Sequence, residues 1–113
     1  MAMLPLATRV TPTVASRLPA VAELCAKHRV RRLALFGSGA TGEFDAEKGS
    51  DLDFLAEFTP MSPSDHAEAY FGLTEDLERL LGVPIDLVEA GASRNPYFQE
   101  AVRNTQVVLF EAA

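Results

Sequence analysis

One stretch limits the folds open to this chain more than any other. Arg32-Leu33-Ala34-Leu35-Phe36 is a short, mostly apolar run that ends in Gly37-Ser38-Gly39, the pattern of a buried strand running into a tight turn. Gly37 and Gly39 have no Cβ, so the backbone there can approach a ligand and turn its N–H groups toward it. A helical turn beginning within Ala40 to Phe44 would set those groups at a helix N-terminus, where phosphate is favoured by hydrogen bonding and by the dipole. Ser38 adds a hydroxyl donor. Glycine-serine turns are common, and alone this one signifies only a turn.

The segment that follows is more specific. From Asp51 to Phe58 the side chains alternate, with Leu52, Phe54, Ala56 and Phe58 on one face and Asp51, Asp53, Leu55 and Glu57 on the other. Asp51 and Asp53 therefore point the same way, roughly 6–7 Å apart along the strand. Carboxylates so close repel unless a cation lies between them. Their hard oxygens suit Mg²⁺ or Mn²⁺, which take one or two carboxylates together with substrate phosphates. An isolated Asp-x-Asp is often a solvated strand face, but directly after a glycine-serine turn it places metal ligands beside a phosphate cradle. A third acid, Asp86, lies in the strand-like Gly82-Val83-Pro84-Ile85-Asp86-Leu87-Val88-Glu89, on the face opposite Val83, Ile85 and Leu87. An unpartnered acid in an apolar strand is expensive, so Asp86 either ends the strand in water or joins a metal site.

Gly37-Ser38, Asp51-x-Asp53 and the later Asp86 together resemble the DNA polymerase beta-type nucleotidyltransferase superfamily. More narrowly, the chain is similar to the minimal nucleotidyltransferases, often antitoxins paired with a HEPN-domain toxin. The likeness runs from Leu18 to Glu111 and includes Asn95-Pro96-Tyr97-Phe98 and Val107-Val108-Leu109-Phe110. It implies that Asp51, Asp53 and Asp86 are catalytic and hold two Mg²⁺ ions, with Mn²⁺ as a substitute. Gly37, Ser38 and Gly39 would bind the phosphates of ATP, and Asp86 would ligate a metal or take the acceptor proton. It further implies transfer of AMP to a tyrosine hydroxyl of the toxin, silencing its RNase activity. The chain departs from the family pattern in two places: Thr41 stands where many members have arginine, and the Gly39 to Ser50 loop is longer than the commoner spacing. The extra length falls in the polar Phe44-Asp45-Ala46-Glu47-Lys48-Gly49, which a surface loop tolerates.

The rest of the chain reads as scaffold. Residues 1–17 lack periodicity and contain Pro5 and Pro12, suggesting an irregular lead-in, with a single nucleotidyltransferase domain over 18–113. Leu18 to His28 reads as a short amphipathic helix with Pro19 in its first turn and Cys25 on its apolar side. Ser62-Pro63 and Asn95-Pro96 read as helix starts, and Gly82 as a stop. Ala67, Tyr70, Phe71, Thr74, Leu77, Leu80 and Leu81 follow helical spacing between them. Helix, strand, short helix, strand, helix, strand, helix, strand is an α/β (α+β) order. The resemblance narrows it to a nucleotidyltransferase-type mixed β-sheet of about four strands with helices packed against it.

At 113 residues and 48% apolar, the chain has material for one modest core. A net charge of −6 argues against broad nucleic-acid binding and fits a basic partner better. The Lys27-His28-Arg29 and Arg31-Arg32 cluster is either a favourable charge at a helix C-terminus or a partner contact. No long apolar run suggests a membrane span, and a cytoplasmic location is expected. His28 and His66 lack zinc spacing and read as helix-surface or helix-end residues. Tyr97 and Phe98 open the last helix, where an aromatic is more often core than a base-stacking platform. Two functions remain: an adenylyl-transferring antitoxin in a hetero-oligomer with its toxin, or a catalytically weak or silent nucleotidyltransferase-fold module that neutralises its partner by binding. Transfer to a small molecule is weaker, because little chain is left to shape its pocket.

Overall fold

In the computed structural model, which describes residues 10–112, the alternating segments form one four-stranded sheet. The elements are α1 (Pro12–Ala15), α2 (Leu18–Lys27), β1 (Val30–Phe36), α3 (Ser38–Thr41), β2 (Leu52–Phe58), α4 (Pro63–Leu81), β3 (Ile85–Glu89), α5 (Pro96–Thr105) and β4 (Val107–Glu111). A 3-10 turn, Ala46–Lys48, lies between α3 and β2. The strand order is β3-β2-β1-β4. β1 runs antiparallel to both β2 and β4, whereas β2 and β3 are parallel. A parallel pair cannot be joined by a hairpin, and α4 supplies the crossover.

Strand alternation decides what each face carries. Leu33 and Leu35 of β1, Leu52, Phe54 and Ala56 of β2 and Leu87 of β3 are buried against Val21 and Cys25 of α2 and Leu73, Leu77 and Leu81 of α4. Burial pushes the Cys25 thiol up to about 12, so it behaves as a small apolar side chain. α5 covers part of the opposite face, with Val102 buried and the Phe98 ring edge-on to Phe36 at a centroid distance of 5.6 Å. Tyr97, by contrast, is 82% exposed.

Ser62 caps α4 by accepting the Asp65 N–H at 3.2 Å, Pro63 occupies the first helical position, and Gly82 ends the helix in the left-handed region at φ +71°. The buried stripe is Ala69, Leu73, Leu77 and Leu81, each four residues from the next; Leu77 and Leu81 belong to the spacing read in the sequence, Ala69 and Leu73 do not, and Phe71 is 67% exposed. Phe71 lies two residues from both Ala69 and Leu73, about 200° round the helix from each. Its apolar character is compatible with the period, but its phase is wrong for the core.

Two members of the basic cluster, Lys27 and His28, are used within the fold. Asp76 of α4 lies 2.7 Å from His28 Nε2, 2.9 Å from Lys27 Nζ and 3.0 Å from Arg79 Nη1, joining the end of α2 to α4. The His28 and Lys27 bonds hold the Asp76 carboxyl down at about 2. Gly72 makes room for this arrangement, since a Cβ there would come within 2.7 Å of the His28 ring. His66, in the first turns of α4, meets Glu89 at 2.9 Å.

The segment expected to be an irregular lead-in differs where it is described. Pro12–Ala15 forms a helical turn, Val10 and Val14 join the core, and the Thr11 N–H donates to the Gly39 carbonyl at 2.9 Å. Pro12 pre-sets the first helical φ, and two valines four residues apart gain burial from one turn of helix. Residues 1–9 of that segment lie outside the described residues. Among the described residues no helix is long and apolar enough to cross a membrane.

Leu77 is fully buried and Phe71 is largely exposed. Leu77→Ala is expected to cost about 3 kcal/mol, and Phe71→Ala within about 0.5 kcal/mol of zero, both measured by urea denaturation.

Candidate active site

β1 ends at Phe36, which pairs in register with Asp53 of β2. The chain leaves the strand at Gly37, with φ +71° and ψ −150°, a conformation essentially reserved for glycine. Space makes the same demand: a Cβ on Gly37 would lie 2.6 Å from Asp53 Oδ2. Gly39 is required for a different reason, because a Cβ there would meet Leu52 Cδ2 at 2.8 Å and Leu35 Cδ1 at 3.3 Å. Gly37 lets the turn approach an acid, and Gly39 lets it settle onto the core.

The short helix α3 occupies Ser38–Thr41, earlier than the Ala40 to Phe44 start read in the sequence, and Gly42 ends it at φ +89°. The break from the strand falls at Gly37, so helical geometry begins with the next residue. The Gly37 N–H donates to Thr105 Oγ1 at 3.1 Å, and the Thr105 hydroxyl donates to the Ala101 carbonyl at 2.8 Å. The donors of the turn itself are then the Ser38 hydroxyl and the N–H groups of Ser38 and Gly39, positions with no acceptor inside a helix. In the sequence Thr105 reads only as the residue that precedes the final strand. A threonine at the end of a helix carries no signal that its hydroxyl meets a residue 68 positions earlier.

The longer loop is closed by its own polar groups. Asp45 accepts the Glu47 N–H on Oδ1 at 3.0 Å, and its carbonyl accepts the Ser50 N–H at 3.2 Å. Lys48 is 82% exposed and lies 4.0 Å from Asp45 Oδ2. Thr41 donates its hydroxyl to Glu43 Oε1 at 3.2 Å.

The loop delivers Asp51 immediately before β2, where it is exposed. Asp53 follows within the strand, half-buried, and its register partner in the parallel β3 is Asp86, which is exposed. Register partners share a face, so the fold brings the turn, Asp53 and Asp86 together although they come from three separate segments. Burial first, then the charges of Asp86 and Asp51, push the Asp53 carboxyl up to about 6. This clustered negative charge suits a hard divalent cation. Among the described residues no three His, Cys, Asp or Glu side chains converge as a ready-made metal cage. Mg²⁺ does not need one, since it keeps waters and completes its shell with substrate phosphates.

Comparison with known proteins places this geometry in a family. The model for the nucleotidyltransferase domain matches residues 20–109. A Methanocaldococcus jannaschii protein assigned as a protein adenylyltransferase is 38% identical over 83 residues, spanning 74% of this chain and 80% of the relative. A solved structure assigned as a minimal nucleotidyltransferase is 38% identical with a TM-score of 0.65, covering 84% of this chain and 91% of that one. A complex of a tri-AMPylated Shewanella oneidensis HEPN toxin with its MNT antitoxin shares the fold at 17% identity and a TM-score of 0.58, over 86% of this chain and 71% of that one. The chain belongs to the nucleotidyltransferase domain family and is an enzyme of that class.

Two outcomes are expected from the geometry. Gly37→Ala should lower stability by about 2 kcal/mol through backbone strain alone, and by more as Asp53 is displaced, measured by denaturant titration. The Asp53 carboxyl rises from 3.8 to about 6 on folding, so the native protein retains a proton that the unfolded chain has released. Its contribution is full below the unfolded value and is lost as pH rises through the folded one. Metal-free thermal melts should therefore show a loss of stability between about 4 and 6 that Asp53→Asn flattens. Asp76, lowered from 3.8 to about 2, acts with the opposite sign in a separate, more acidic window.

Proposed function

We propose that this chain transfers AMP from ATP to a tyrosine hydroxyl of a partner HEPN-type RNase toxin, and so acts as its antitoxin in a hetero-oligomer. The observation that carries this reading is Asp53 set in register with Asp86 and in contact range of Gly37. That arrangement sets the glycine-serine turn beside clustered carboxylates, which supports phosphate binding there. The assigned activity of the M. jannaschii relative and the AMPylated toxin of the S. oneidensis complex support the protein substrate.

In this mechanism the Ser38 hydroxyl and the N–H groups of Ser38 and Gly39 bind the terminal phosphates of ATP, and Gly37 keeps the turn close to Asp53. Asp51, Asp53 and Asp86 are the residues that would hold two Mg²⁺ ions, or Mn²⁺; when bound, the ions neutralise phosphate charge and orient the attacking and leaving oxygens. Asp86, exposed on the edge strand, faces the incoming acceptor and takes the hydroxyl proton. The acceptor oxygen forms its bond to the α-phosphorus as the bond to the bridging oxygen breaks, and pyrophosphate leaves with that electron pair. The net charge of −6 favours a basic partner. Dependence on ATP fits a cytoplasmic protein.

One observation favours a second reading, in which the chain neutralises its partner by contact alone. Thr41 stands where many members of the family it resembles carry arginine, and its hydroxyl is directed to Glu43. Intact mass of the co-expressed partner after incubation with ATP and Mg²⁺ separates the two. An AMP increment with the wild-type chain, absent with Asp51→Asn/Asp53→Asn, is the expected result. An unmodified but still neutralised partner would establish the contact mechanism instead.

A further inference from the structure

We infer that Thr105, at the last turn of α5, is the positioning residue of the phosphate-binding turn, a role that rests on the nucleotidyl-transfer reading. Its hydroxyl has one proton and uses it on the Ala101 carbonyl at 2.8 Å. The oxygen is thereby oriented as an acceptor, and the Gly37 N–H donates to it at 3.1 Å. That bond fixes the peptide between Phe36 and Gly37, the point where the backbone has φ +71° and passes too close to Asp53 Oδ2 for any Cβ.

A glycine has the widest conformational freedom of any residue, so a turn hinged on one needs an external restraint to hold a single geometry. Thr105 supplies it at Gly37. The Thr11 N–H, donating to the Gly39 carbonyl at 2.9 Å, supplies a second restraint two residues on. The base of α5 is itself fixed, because Phe98 packs edge-on against Phe36 and Val102 is buried. The helix therefore acts as a rigid arm from the end of β1 to the peptide that follows it. With its N–H committed to Thr105, Gly37 positions Ser38 and Gly39 and does not itself donate to phosphate.

Loss of the hydroxyl should loosen the turn before the reaction begins, so ground-state nucleotide binding bears most of the effect. Thr105→Val keeps the shape and removes the acceptor, whereas Thr105→Ser keeps the acceptor and removes a methyl. Calorimetry with a non-hydrolysable ATP analogue and Mg²⁺ should show roughly three- to tenfold weaker binding for Thr105→Val and near wild-type binding for Thr105→Ser, the scale of one lost hydrogen bond. In transfer assays the Thr105→Val loss should appear in KM for ATP, with kcat largely preserved. Wild-type binding by Thr105→Val, or equal weakening in both variants, would overturn the role assigned to the hydroxyl. Amide hydrogen exchange of the unmodified protein gives an independent check: the Gly37 N–H should be protected with and without the analogue, and an exchanging Gly37 amide overturns the inference. A wild-type chain that binds no analogue would instead remove the nucleotidyl-transfer reading on which the inference stands.

Discussion

The contact between Gly37 and Asp53 is the constraint around which this molecule is arranged. It follows from one register, Phe36 opposite Asp53, and that register is held by the pairs behind it, Leu35 with Phe54 and Leu33 with Ala56. Those residues are also the centre of the core. A slip of one residue would turn Asp53 into the apolar layer and Phe54 out of it, so the hydrophobic pattern that stabilises the sheet also aligns the acid with the turn. Stability and site geometry are specified by the same two strands.

The two faces of the sheet divide the labour. α2 and α4 seal one face with Val21, Cys25, Leu73, Leu77 and Leu81, and the Asp76 cluster locks the two helices to each other. Asp76 and His28 are each only 12% exposed, so their contact is better shielded than the pairs Asp76 makes with the exposed Lys27 and Arg79. The other face is left to α5 and the acids. α5 covers it only in part, which leaves Asp86 open to solvent while Phe98 and Thr105 brace the end of β1.

Much of this was legible in the sequence because it rests on local chemistry. The glycine-serine break after an apolar run marked the turn, strict alternation marked β2 and placed Asp53 on its polar face, and Ser62-Pro63 and Asn95-Pro96 marked two helix starts that the structure has. Asp86 was visible as an acid out of keeping with its strand, although its pairing with Asp53 depends on a register that spacing does not give. Other features depend on contacts between distant segments. Thr105 binding Gly37, Thr11 binding Gly39 and His28 binding Asp76 are each a common residue in an unremarkable local setting. The buried stripe of α4 was legible only in part, at Leu77 and Leu81, for a related reason: periodicity restricts which residues share a face, but Phe71 and Leu73 are both apolar, and only the docked sheet chooses between them.

The parallel pairing of β2 with β3 has a consequence for how the molecule comes into being. β1, its turn and β2 are consecutive and antiparallel, so Gly37 and Asp53 can meet as soon as that hairpin-like unit closes. Asp86 reaches them only after the nineteen residues of α4 have been laid across the sheet and the chain has returned. Closing such a long crossover loses chain entropy before the strand pairing rewards it. The approach of Gly37 to Asp53 thus depends on segments close in sequence, whereas the pairing of Asp53 with Asp86 depends on the whole crossover being in place.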